Sequence, residues 1–228
     1  MRWVAAGDLF VFGCLILLVL VAGGLAAAAL DIGADLETSL WSALPAVGLL
    51  VAGCTLLIRR QGRRWRTLGL GYSGSLRALV GQTLGVLAAV YVALTILAAI
   101  TGQSAGAQPD LGMFRALEGN WRLFALALVV VWIAAAFGEE MIFRGFLLDR
   151  IAHLLGGSGV AWQGAAVLQG ILFGLSHIYQ GPAGMWLTGI MGVVFGLAYL
   201  ITGRTLLPLI LAHGLIDTIS LTRMFLGG

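Results

Sequence analysis

The sequence predicts an all-α fold: a polytopic membrane helix bundle of about seven transmembrane helices, within a range of six to eight. Three observations predict it. Hydrophobic residues make up 60% of the 228, charged residues only 10%, and mean hydropathy is +1.01, which leaves too little polar surface for a water-soluble domain of this size. Apolar runs of spanning length recur between short polar turns. The arginines crowd onto one side of those runs.

The first span is expected from about Leu9 to Leu30. Arg2, the apolar core and Ala26 to Ala29 imitate a signal peptide, but the stretch is long enough to span and further spans follow, so a retained helix is expected. Asp31, Asp35 and Glu37 then make an acidic loop. The second span, Leu40 to Ile58, ends in a basic loop over residues 59–66 that holds Arg59, Arg60, Arg63, Arg64 and Arg66. That loop reads as an ordinary cytoplasmic anchor, with Trp65, Leu68 and Leu70 at the interface beside anionic lipid.

The third span covers about Leu76 to Ile100, and a polar, glycine-rich loop follows from Thr101 to Asn120. The fourth helix starts near Leu123 and extends toward Leu155, longer than one crossing needs. Tilt, a break near Gly138 or projection from the bilayer is expected. Gly156 to Gly159 turns the chain into a fifth span, Val160 to Ile178. A turn containing Pro182 leads to the sixth, Met185 to Ile201, and the seventh runs from Leu206 to about Phe225.

Of the 13 basic residues, all arginine, ten fall on one side of this arrangement and three (Arg115, Arg122 and Arg223) on the other. The larger set defines the cytoplasmic side, with the N-terminus on it. The expected location is a bacterial or archaeal cell membrane. The net charge of +3 sits mostly in one loop, so it speaks to orientation and not to nucleic acid. Cys14 and Cys54 lie in apolar segments and read as packing residues. Glycine pairs at spacing four, Gly170 with Gly174 and Gly192 with Gly196, let helix backbones approach closely in lipid.

Charge inside such spans is expensive and marks a candidate site. Glu139, Glu140 and Arg144 lie in the fourth helix, His177 ends the fifth one turn beyond Phe173, and His213 and Asp217 share a face of the seventh. Glu140 and Arg144, four apart, are expected to pair, while Glu139, rotated by about 100°, stays free of that pair. At ~1.5 Å per residue from the interfacial arginines and Trp162, Glu139 lies ~16 Å deep, His177 ~22 Å, His213 ~14 Å and Asp217 ~20 Å. Three helices thus bring titratable groups to the middle of a ~30 Å core. Each has an ordinary reading: a histidine bridging helices, a structural ion pair, a packing phenylalanine, an aspartate that fixes the His213 tautomer. His153, beside Asp149 and Arg150, reads as solvated. Ser176 is expected to point ~100° away from His177.

The three motifs Glu139-Glu140-Met141-Ile142-Phe143-Arg144, Phe173-Gly174-Leu175-Ser176-His177 and His213-Gly214-Leu215-Ile216-Asp217 occur in order, each on an expected span. Together they resemble the CAAX protease and bacteriocin-processing (CPBP) membrane family, which includes the type II CAAX prenyl endopeptidases. The resemblance covers about Trp121 to Phe225. It implies one integral membrane domain: residues 1–120 supply helices 1–3, and residues 121–228 form the catalytic core with helices 4–7. It implies peptide hydrolysis without a covalent intermediate, with Glu139 as base for a water and His177 positioning that water. His213 and the residue at 217 would stabilise the oxyanion, with Glu140, Arg144 and Phe173 as supports. The resembling proteins often carry asparagine where Asp217 stands. An ionised aspartate cannot donate a hydrogen bond, so Asp217 is expected to orient His213 instead.

A metal-free glutamate mechanism with no cofactor is expected; zinc at Glu139, His177 and His213 is the alternative, although the spacing departs from His-Glu-x-x-His. The expected partners are a peptide or protein substrate, with or without a lipid tail, and the bilayer; oligomeric state is not legible. Rival functions are a non-proteolytic scaffold or bacteriocin-immunity protein of the same family and, ranked last, a proton-coupled transporter.

Overall fold

The computed structural model describes residues 2–29, 35–101 and 109–227. Among them seven helices form the bundle: α1 (Arg2–Ala29), α2 (Leu36–Arg60), α3 (Leu76–Thr101), α4 (Trp121–Leu154), α5 (Gly159–Ser176), α6 (Gly181–Ile201) and α7 (Leu207–Phe225). Six of them, α1 to α6, are long and apolar enough to cross a membrane. The chain is thus an integral, multi-pass membrane protein. α7 has the length, at 19 residues, but His213, Asp217, Arg223 and three hydroxyl side chains lower its hydropathy. It is the helix with the most polar work, and its first half is buried from Pro208 to Gly214, Leu211 excepted.

Local chemistry sets the helix starts. Asp35 caps α2 by accepting from the Thr38 N–H at 2.9 Å, Asn120 caps α4 through the Leu123 N–H at 3.2 Å, and Ser158 caps α5 through the Ala161 N–H at 3.2 Å. Of the acidic loop, Asp31 lies outside the described residues. The sixth helix begins four residues earlier than expected because Pro182, in its first turn, needs no backbone donor there.

α4 does not break at Gly138. It runs unbroken to Leu154, but from Val131 to Leu147 it is wound as a π-helix, and the Leu148 N–H reaches back five residues to the Phe143 carbonyl. A wider turn advances less per residue, which shortens a helix otherwise too long for one crossing. Glu139, Glu140 and Arg144 all lie in this π segment. At Gly138 an added Cβ would collide with Val47 of α2, so the glycine marks helix packing, not a hinge.

The glycine spacing in α5 and α6 has the expected consequence. A Cβ on Gly174 would stand 2.6 Å from the Met185 carbonyl oxygen and 2.8 Å from Gly189 Cα, and one on Gly192 would stand 2.9 Å from Gly170 Cα. No side chain fits between these two backbones. Cys54 is fully buried and Cys14 faces outward; both thiols are free. The outer faces are apolar, with Ile201, Ile100 and Val160 exposed, as lipid contact requires.

A buried polar network ties α1 and the basic loop to the lower end of α4. Arg63 donates from both Nη atoms to Asp149, at 2.9 Å each. Arg150 donates to Asp8 at 2.9 Å, to Gln61 at 2.6 Å and also to Asp149, and Gln61 donates to Asp8. Arg150 and Asp149 are therefore both buried within the protein. His153 is likewise not simply solvated: its Nδ1 lies 2.7 Å from the Asp149 carbonyl oxygen and its ring packs edge-on to Trp162.

Candidate active site

The π segment of α4 points Glu140 and Arg144 into the bundle, where they are 0% and 1% exposed. Arg144 Nη1 donates to Glu140 Oε1 at 2.7 Å, and its guanidinium is sandwiched between the rings of Phe173 at 4.5 Å and Phe195 at 5.0 Å. A buried cation is tolerable because it has both a carboxylate and two aromatic faces. Its Nη2 also faces the Gly192 carbonyl at 3.4 Å.

α7 delivers His213 to the same carboxylate. Its Nδ1 donates to Glu140 Oε1 at 2.9 Å, which leaves Nε2 facing Asp217 Oδ2 at 3.5 Å. That second distance is an ion-pair contact, longer than a good hydrogen bond. Glu140, expected only as the partner of Arg144, thus holds two groups, and Asp217 is the looser neighbour of the imidazole.

α5 ends at Ser176, and His177 leaves helical geometry at φ −103°, ψ 19°. Its Nδ1 donates to the Phe173 carbonyl at 2.8 Å, leaving Nε2 as the acceptor nitrogen. Because the helix has ended, Ser176 does not point away: its Oγ lies 3.2 Å from His177 Nδ1. It donates to the same Phe173 carbonyl at 2.7 Å, and the nitrogen beside it carries a proton, so the pair lacks the geometry of an activated nucleophile. The Phe173 ring touches His177 at 4.7 Å, Arg144 at 4.5 Å and Phe143 at 5.0 Å, and lies 6.2 Å from His213, so one ring joins three helices.

Glu139 is half-buried, and its Oε2 is enclosed without a protein partner among the described residues. It lies in electrostatic reach of His213, Asp217, Arg144 and Glu140. Glu140 Oε2 and Arg144 Nε are enclosed and unpaired in the same way. Both residues help line a cavity of about 10 Å³, together with Phe173, Met191, Phe195 and His213. That volume matches roughly one water molecule. The cavity is bordered by the second glutamate of the pair, not by Glu139.

Sequence reasoning missed Gln169. It is fully buried one turn before Phe173 and donates to the Gly192 carbonyl at 2.8 Å and the Ala166 carbonyl at 2.9 Å. Gly192 O therefore receives both Gln169 and Arg144. The signal was present as an amide deep in an apolar span, at i−4 from Phe173 and i−8 from His177. Among the described residues no three His, Cys, Asp or Glu side chains are arranged to hold a metal ion, so Glu139, His177 and His213 do not form the ligand set that the zinc alternative requires.

Residues 121–219 match the family described as "Rce1-like: Type II CAAX prenyl endopeptidase Rce1-like". The match contains Glu139, Glu140, Arg144, Phe173, His177, His213 and Asp217. No curated protein and no solved structure matches the chain.

Proposed function

We propose that this chain, which carries a Rce1-like CAAX-protease domain over residues 121–219, is an intramembrane endopeptidase that hydrolyses peptide bonds with a glutamate-activated water. Glu139 takes a proton from the water as its oxygen attacks the scissile carbonyl. His177 offers its Nε2 to the same water. The carbonyl becomes an oxyanion, which His213 and its neighbours stabilise electrostatically. Glu139 then passes the proton to the departing amine, and the carbonyl reforms as the new carboxyl terminus. Glu140, Arg144 and Phe173 hold His213 and His177 in place, and Asp217 orients His213. Substrates are CAAX-like prenylated tails or small membrane-associated peptides, reached from the cytoplasmic side.

The observation that carries this reading is the division of labour within the glutamate pair. Glu140 holds Arg144 and His213 on one oxygen, whereas Glu139 has no cation or donor bonded to it among the described residues and keeps its carboxylate for proton transfer. Purified wild type and Glu139→Ala, each offered a prenylated CAAX peptide and a generic peptide library, test it. Cleavage by wild type alone supports the enzyme, and the substrate that is cut names the class.

One observation favours a second reading, a non-proteolytic family member: the cavity beside Glu140 is water-sized, not peptide-sized. A biological phenotype that survives Glu139→Ala supports that scaffold.

A further inference from the structure

The basic loop is more than a charge count. A topology signal needs only arginines near a span end, in any conformation. Here the loop is folded and braced. Gly62 adopts φ +69°, which turns the chain directly after α2. Arg63 is locked to Asp149 by both Nη atoms. The Trp65 indole donates to Thr55 Oγ1 at 2.8 Å, and Leu70 N–H closes back on the Trp65 carbonyl at 3.1 Å. The far end is pinned to the bundle by Tyr199 Oη donating to the Leu68 carbonyl at 2.9 Å and by Leu206 N–H donating to the Gly69 carbonyl at 2.8 Å.

This bracing shapes a recess of about 620 Å³ whose walls include Arg59, Arg63, Arg64, Arg66, Trp65 and Thr55. The charge of Arg63 is already neutralised by Asp149. Arg59, Arg64 and Arg66 are exposed and form no ion pair among the described residues, and no carboxylate lines the recess. Three uncompensated guanidiniums around one concavity, directly beyond the end of a spanning helix, suit a phosphate anion, because the planar fork matches phosphate oxygens.

We propose that this recess is a binding site for an anionic phosphate group, held by Arg59, Arg64 and Arg66 with Trp65 as the apolar wall. A phospholipid headgroup such as phosphatidylglycerol and free inorganic phosphate share that chemistry. The position at the end of the apolar helix α2, with the partly exposed Trp65 beside the arginines, suits the lipid.

The test is native mass spectrometry of delipidated full-length protein offered phosphatidylglycerol, phosphatidylcholine or inorganic phosphate. The comparison variants are Arg59→Gln/Arg64→Gln/Arg66→Gln and a charge-matched triple, Arg115→Gln/Arg122→Gln/Arg223→Gln. The second triple lies toward the opposite end of α7, where Gly119 N–H meets the Phe225 carbonyl. Wild type and the distal triple should retain phosphatidylglycerol over phosphatidylcholine, and the recess triple should retain roughly a hundredfold less. Displacement of the lipid by millimolar phosphate identifies free phosphate as the preferred source. Equal loss in both triples reduces the effect to net charge and overturns the site, as does equal retention of the two lipids together with no phosphate binding. Should the recess triple fail to fold, the three single variants carry the test, each expected to lose about fivefold.

Discussion

Arg144 Nη1 and His213 Nδ1 meet on the same oxygen, Glu140 Oε1, at 2.7 Å and 2.9 Å. Through that atom α4 and α7 are joined at the centre of the bundle. Glu140 thus ties the two helices together, and the proposed catalytic role falls to its neighbour Glu139.

Removing Glu140 strands a cation that is 1% exposed. Glu140→Ala is predicted to lose about 3–5 kcal/mol of stability, while Glu140→Leu combined with Arg144→Met loses less than either single change. Thermal unfolding in detergent across the four-member cycle checks this. Unfolding midpoints that are unchanged in Glu140→Ala contradict this tie between the helices.

Asp217 approaches His213 only to 3.5 Å, whereas Glu140 makes the closer bond. Asp217→Asn can keep the contact and is predicted to hold activity within roughly tenfold of wild type. Complete loss of cleavage in a folded Asp217→Asn protein contradicts a merely orienting role.

The α5–α6 contact leaves no room for a side chain at Gly174. Gly174→Leu is predicted to destabilise by about 1–3 kcal/mol or more and to disturb His177, which follows three residues later. Gly81→Leu on α3, with nothing within 4 Å of its added Cβ, should leave the unfolding midpoint unchanged. Equal behaviour of the two variants contradicts the close packing.

Much of this was legible because lipid makes polar residues conspicuous. Glu139, Glu140, Arg144, His177 and His213 stand out in apolar runs, and four-residue spacing correctly paired Glu140 with Arg144. The six apolar helices follow from length and hydropathy alone. What stayed hidden depends on departures from regular geometry. The π winding of α4 has no periodic mark in the sequence. The end of α5 at Ser176 brings Ser176 beside His177, which a continued helix forbids. The bond from His213 to Glu140 needs the register between α4 and α7, and the partnership of Asp8 with Arg150 links residues 142 apart. Gln169 was visible as an amide out of place, but only its contact with Gly192 gives it meaning.

The most direct measurement compares Glu139→Gln with Glu140→Gln in single-turnover cleavage of the peptide that wild type cuts, alongside unfolding midpoints. Glu139→Gln is predicted to fold as wild type does and to lose about 10²–10⁴-fold in rate, with Glu140→Gln losing stability as well. A Glu139→Gln protein that cleaves at the wild-type rate contradicts the account.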